Sequence, residues 1–240
     1  MITMRLKWLL LASTLPFILP QALYVKRTTP RLPIAQPRQS PVQQNHPKLV
    51  HIGESTVAGV GVENIDQGLT AELCKALNDQ RQAPLEWYSH GVNGIRLKQL
   101  CTTLPVLPND TEIVFVSIGV NDVTGFTSIR QWQLQLDKLV QTLRKQFSGA
   151  ICFSQVPPMS EFPALPRPLR FILGYRAQVL DRALEEKCVQ YDQVYYLKVP
   201  ISVDQEDMAS DGYHPSEIGY KKWAKKLAKA YLKASNTQRV

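Results

Sequence analysis

Residues 48–56 read Lys48-Leu49-Val50-His51-Ile52-Gly53-Glu54-Ser55-Thr56, a short β-like run that gives way to a glycine, an acid and two hydroxyl residues. This is a strand that ends in a turn, and the Gly-rich stretch AGVGVENIDQG beyond it leads into a helix expected near 67 to 79. The same alternation runs down the chain. Further strands are expected at PLEWYS (84 to 89), EIVFVSI (112 to 118), AICFSQV (150 to 156) and QVYYL (193 to 197). Helical patterns fall near 94 to 104, 128 to 147, 170 to 190 and 216 to 234. Short β runs alternating with amphipathic helices predict an α/β fold, a three-layer α/β/α sandwich around a five-stranded parallel sheet. No repeat of 20 to 50 residues is visible.

In such sheets ligands bind beyond the carboxyl ends of the strands, so the residues that follow each strand are where chemistry is expected. Ser55 follows the first, near a helix amino terminus whose N–H groups stabilise negative charge. A lone serine in a turn is more often a cap. Ser89-His90-Gly91-Val92-Asn93-Gly94 follows the second strand and Gly119-Val120-Asn121-Asp122 the third. Glycine permits close backbone approach, and an Asn amide can donate to a developing oxyanion. Asp211-Gly212-Tyr213-His214-Pro215 precedes the last helix, with a carboxylate three residues from an imidazole that it could orient. Each of these has an ordinary turn-chemistry reading on its own. Together they open onto one sheet edge.

The ordered set Gly53-Glu54-Ser55, Gly91, Gly119-x-Asn121-Asp122 and Asp211-x-x-His214 resembles the SGNH/GDSL hydrolases, over about 48 to 234. That resemblance implies a flavodoxin-like (SGNH hydrolase) fold and a serine carboxylester hydrolase, esterase-like or lipase-like, working through an acyl-enzyme. It implies Ser55 as nucleophile, His214 as base and Asp211 as its partner. The implied oxyanion hole is made of the Ser55 and Gly91 N–H groups and the Asn121 side chain; Gly94 shares the turn with Gly91, and Gly91 fits the family spacing better. Where the family has Gly-Asp-Ser, this chain has Gly-Glu-Ser, one methylene longer. The segment VPPMSEFPALPRPLRFILGYRAQVLDRAL is similar to a bacterial lipase-like or esterase-like subset, and residues 157 to 173 read either as the wall of an acyl pocket or as a rigid loop capping the sheet.

Two other readings accompany this one: a cell-surface glycan O-acetyl esterase, and a membrane-tethered binding module that has lost catalysis, suggested by Glu54. The first would turn over acetyl esters with little gain from longer acyl chains. Intact Ser55, Asn121, Asp211 and His214 speak against the second. A small-molecule or lipid ester is the expected substrate, with no cofactor and no metal. His46 lies in a linker, His51 within the first strand and His90 before a glycine, none beside an acid as His214 is.

The chain has 240 residues and a formal net charge of +8. Its ends are basic: residues 1 to 52 hold seven Lys/Arg and no acid, and residues 215 to 240 hold seven against one Glu. The body between them is mildly acidic, and no basic groove interleaved with aromatics appears there, which speaks against nucleic acid. The helix SEIGYKKWAKKLAKAYLKA carries a lysine face that is either solvated or suited to anionic lipid. Four scattered cysteines show no metal spacing and read as buried thiols; a bridge from Cys74 to Cys101 is a conceivable alternative.

Residues 8 to 25, WLLLASTLPFILPQALYV, are uncharged and 18 long. They predict a membrane-directed segment, an uncleaved anchor in preference to a signal peptide. The domains expected are thus 1 to 25, a Pro/Gln-rich linker over 26 to 47 that detaches the segment, and a hydrolase domain over 48 to 236. An exported catalytic domain at the cell envelope, on the periplasmic side, is the expected location, with the cytoplasmic-facing orientation as the alternative.

Overall fold

A computed structural model describes residues 15–237. Five parallel strands, β1 (Lys48–Gly53), β2 (Glu86–Gly91), β3 (Thr111–Ser117), β4 (Ala150–Ser154) and β5 (Val194–Leu197), form one sheet in the order β2-β1-β3-β4-β5. This is the 2-1-3-4-5 doubly wound arrangement of flavodoxin-like folds, with helices on both faces. The expected α/β/α sandwich is what the chain forms.

Helices α1 (Leu15–Thr28), α2 (Leu69–Asn78), α3 (Leu97–Leu100), α4 (Val120–Thr124), α5 (Ile129–Arg144), α6 (Leu169–Cys188) and α7 (Glu217–Thr237) connect and cover the strands. The central strand shows why both faces must be covered. Ile113 and Phe115 join a cluster with Leu73 of α2 and Tyr220 and Leu227 of α7. Val114 and Val116 join the opposite cluster with Trp132 and Leu139 of α5 and Leu180 of α6. A strand buried on both sides reads as a continuous apolar run, which is how EIVFVSI reads.

The cysteines are buried thiols as expected, and the alternative bridge is absent, Cys74 and Cys101 lying in clusters on opposite faces of the sheet. Two expectations change. The helix expected near 94 to 104 is a single turn, α3. The stretch read as a detaching linker is extended but strapped to the body. Arg38 pairs with the buried Glu86 at 2.6 Å and lies over Trp87, while Asp66 accepts from the N–H groups of Gln39 and Ser40 and from the Ser40 hydroxyl.

The segment expected to meet a membrane falls partly outside the described residues. Its second half is α1, which turns Ile18 and Val25 into the core beside α6. Among the described residues no helix is long and apolar enough to cross a membrane.

Candidate active site

The sheet edge formed by the carboxyl ends of β1, β3 and β5 carries the chemistry. Beyond β1 the chain turns tightly: the Glu54 carbonyl accepts from the N–H groups of Val57 (3.0 Å) and Ala58 (3.1 Å), and that of Ser55 from Val60 (3.0 Å). These bonds hold Ser55 at the head of the turn, and its own N–H has no acceptor among the described residues.

Beyond β5, Asp211 bends the chain over itself. Its Oδ1 accepts from the N–H groups of Tyr213 (2.9 Å) and His214 (3.0 Å), the local habit of an Asp in a turn. Its Oδ2 is thereby aimed at His214 Nδ1, 2.6 Å away. His214 Nε2 in turn lies 2.9 Å from Ser55 Oγ. Burial pushes the Asp211 carboxyl up, but the His214 ring and the two N–H donors outweigh it, and its pKa lies below the ordinary carboxylate range. Asp211 is therefore an anion at neutral pH. The result is a continuous Asp–His–Ser relay with the tautomer set by the carboxylate: Nδ1 donates to Asp211, which leaves Nε2 free to take a proton from the serine.

Glu54, the departure from the usual motif, has a clear role. Its side chain is buried, and its oxygens accept from the N–H groups of Val120 (3.0 Å) and Asn121 (3.2 Å), the amino terminus of α4. An acid is favourable at such a helix end. It also accepts from Asn121 Nδ2 at 2.6 Å, which fixes the direction of that amide. One amide hydrogen remains for the cleft. Burial raises the Glu54 pKa to about 7 against the pull of these three donors. The neighbouring Asp122, also buried, accepts from Leu97 N–H (2.9 Å) and the Thr127 hydroxyl (2.7 Å), so it ties the loop after β3 to α3.

The turn after β2 corrects one expectation. Successive N–H groups point to opposite sides of a strand. Val92 N–H bonds the Gly53 carbonyl on the β1 side, so the N–H of Gly91 points to the free edge of the sheet. The role of Gly91 is close approach: a Cβ there would lie 2.1 Å from Ala58 N. Asn93 lines the cleft instead, and Gly94 follows it with φ of 79° and open space around it.

Ser55, Asn121 and His214 open into a cleft of about 170 Å³. Its far wall is apolar, built from Pro157, Phe162, Ile201, Val203, Met208 and Trp223. Pro157 and Phe162 belong to the proline-stiffened segment after β4, so that segment does wall the cleft; Phe162 meets the ring of Tyr213 edge to face. Residues 201 to 208 carry no motif, and only their place after β5 signals that they belong to the site.

Two other histidines lie near the sheet. His51 is fully buried in β1, with Nε2 2.9 Å from Ser117 Oγ and Nδ1 3.1 Å from Thr70 Oγ1. Burial lowers its pKa to about 3, which keeps it neutral. His90 has a buried Nε2 with no hydrogen-bond partner among the described residues.

Residues 51–222 match the GDSL-like Lipase/Acylhydrolase family. Among solved structures the chain resembles a putative platelet activating factor from Streptococcus pneumonia (16% identity, 93% of this chain and 98% of the other, TM-score 0.59). It also resembles the Clostridium thermocellum family 3 carbohydrate esterase (18% identity, 81% and 99%, TM-score 0.60). A third is a single-residue variant of an acetyl xylan esterase from Geobacillus stearothermophilus (19% identity, 78% and 93%, TM-score 0.53). At these identities the structures speak for the fold. No curated protein matches the chain by sequence. The family match covers well over half of the chain, and the chain therefore belongs to the GDSL-like lipase/acylhydrolase family and is an ester-cleaving hydrolase.

Proposed function

We propose that the protein is a serine carboxylester hydrolase whose acyl-enzyme forms on Ser55. The observation that carries this reading is the unbroken relay from Asp211 through His214 to Ser55, with contacts of 2.6 and 2.9 Å. His214 takes the hydroxyl proton as Ser55 Oγ attacks the ester carbonyl, and the negative charge moves to the carbonyl oxygen. The Ser55 N–H, the Asn121 amide and an N–H of the turn after β2 receive that oxygen. We assign the last donor to Gly94 in place of Gly91. Collapse of the tetrahedral species expels the alcohol, which takes its proton from His214; water then attacks the acyl-enzyme by the same route and releases the acid. Glu54 acts at one remove, by holding Asn121.

A cleft of about 170 Å³ is below the roughly 300–1,000 Å³ that drug-sized ligands fill, which favours a short acyl group over a long one. That observation supports the O-acetyl esterase reading as the narrower form of the same chemistry. The test is hydrolysis of p-nitrophenyl esters of increasing acyl length, with fluorophosphonate labelling of Ser55. Turnover that is highest for acetyl and butyryl esters and a label lost in Ser55→Ala are expected; no turnover of any ester and no label would overturn the proposal. We place the enzyme at the cell envelope with its catalytic domain on the periplasmic side, a location suited to the apolar amino-terminal sequence. A carboxyl-terminal phosphatase fusion active only in the cytoplasm would reverse that orientation.

A further inference from the structure

Helix α1 is apolar on two faces, and among the described residues only one of them is covered. Ile18 and Val25 enter the core with Ala22 packed beside them, while Leu19, Leu23 and Tyr24 on the other face are between 47% and 65% exposed. A helix on a protein surface ordinarily turns charge to the solvent. Here the outward charges are confined to the end of the helix, Lys26 and Arg27.

The position of α1 is set by its contacts. Gln21 donates to the Arg167 carbonyl (2.9 Å) and accepts from Leu169 N–H (3.2 Å) at the start of α6. Because α6 begins after the loop that leaves β4, its amino terminus lies at the carboxyl edge of the sheet, where the cleft opens. That loop supplies Pro157 and Phe162 to the cleft wall. Beside α1, Phe171 is exposed under the Arg167 guanidinium, and Phe126, also exposed, lies against Arg176 of α6. The outward face of α1 thus stands at the start of α6, where its Gln21 reaches the Arg167 carbonyl, and basic Lys26, Arg27 and Arg167 accompany its exposed apolar side chains.

We propose that this face seats the hydrolase on an anionic lipid surface, with α1 lying in the plane of the headgroups and the cleft mouth at its edge. Charge complementarity selects this occupant. Lys26 and Arg27 end α1, and the sequence leading into it, Arg5-Leu6-Lys7 followed by the uncharged WLLLAST, adds two more basic residues and no acid. Large apolar side chains beside basic ones are the composition of interfacial helices, whose binding combines buried apolar area with attraction to anionic headgroups. A surface-lying helix also accounts for a long apolar segment whose second half is folded onto the protein: Ile18 and Val25 are engaged in the core and cannot face lipid.

The experiment is co-sedimentation of the full chain with phosphatidylcholine vesicles and with vesicles containing phosphatidylglycerol, at low and high salt. Binding to the anionic vesicles that weakens with salt is expected. Leu19→Gln/Leu23→Gln/Tyr24→Gln and, separately, Lys26→Glu/Arg27→Glu should each weaken that binding by about tenfold or more. Both sets change exposed side chains, and unchanged turnover of a soluble p-nitrophenyl ester verifies the fold. This readout is independent of the ester chemistry, so a hydrolase that fails to bind vesicles and a vesicle binder without esterase activity are separate results. No binding to anionic vesicles, or binding that both variants retain in full, would overturn the proposal. So would a wild-type dimer that the apolar variant converts to a monomer without any vesicle binding, since the face would then be a contact between copies.

Discussion

His51 and His214 each place Nε2 2.9 Å from a serine hydroxyl, Ser117 in one case and Ser55 in the other, and only the second pair is the one we propose for catalysis. The difference lies on the far nitrogen and in access. His214 Nδ1 meets the Asp211 carboxylate, which can stabilise a protonated ring, and Ser55 opens into the cleft. His51 Nδ1 meets only the Thr70 hydroxyl, and burial holds the ring neutral with a pKa near 3. Ser117 is itself buried and passes the chain of hydroxyls on to Ser154 at 2.9 Å. A serine–histidine contact is thus no signature of a nucleophile. The third group and an open approach make one.

The contrast breaks first at the two serines. Ser55→Ala should lower kcat by roughly 10⁶-fold, the scale seen when a triad nucleophile is removed. Ser117→Ala should leave kcat within about a few fold and register instead as a loss of thermal stability, since it strips a buried histidine of a partner. Steady-state kinetics with melting curves on both variants separates the outcomes; a dead Ser117→Ala enzyme that melts like wild type would make His51 part of the machinery. The next test exchanges the groups on the far nitrogen. Asp211→Asn should cost about 10⁴-fold in kcat, because the amide no longer holds the tautomer that frees Nε2. Thr70→Val, the corresponding change behind His51, should leave the pH–rate profile of wild type in place.

How much of this could be read in the sequence follows from the length of the signals. Strands β1, β3, β4 and β5 are largely apolar runs of four to seven residues, and Ser55, Asn121 and the Asp211/His214 pair follow such runs, so the sheet and the meeting of these side chains at one edge were both legible. Helix α4 was not, because five residues hold no period; Gly119-Val120-Asn121-Asp122 looks like a turn, and its helical start is visible only through the Glu54 carboxylate that caps it. The motif placed an acid beside Ser55 without saying that it grips Asn121. Choosing between Gly91 and Gly94 depends on which side of the edge strand an N–H faces, and family spacing carries no such direction. At the amino terminus hydropathy marks an apolar stretch but does not reveal that Ile18 and Val25, in its second half, face the core beside α6.

The smallest effect belongs to His51. In the folded chain its pKa is lowered to about 3, whereas an unfolded histidine titrates near 6.5. Between those values the unfolded chain binds a proton that the folded chain refuses. The fold therefore loses stability as pH falls below about 6.5, and this loss levels off near pH 3. By pH 5 the histidine should account for about 2 kcal/mol of that loss. His51→Gln removes the titration while keeping polar atoms in reach of Ser117 and Thr70. At pH 7 it should be less stable than wild type by about 1 kcal/mol, for imperfect hydrogen bonds. From pH 7 to pH 5 it should lose less than wild type does, so that the two urea midpoints converge or cross. Parallel decline of both proteins would mean that His51 already accepts a proton in the fold, and the distinction between a core histidine and a catalytic one would then rest on access alone.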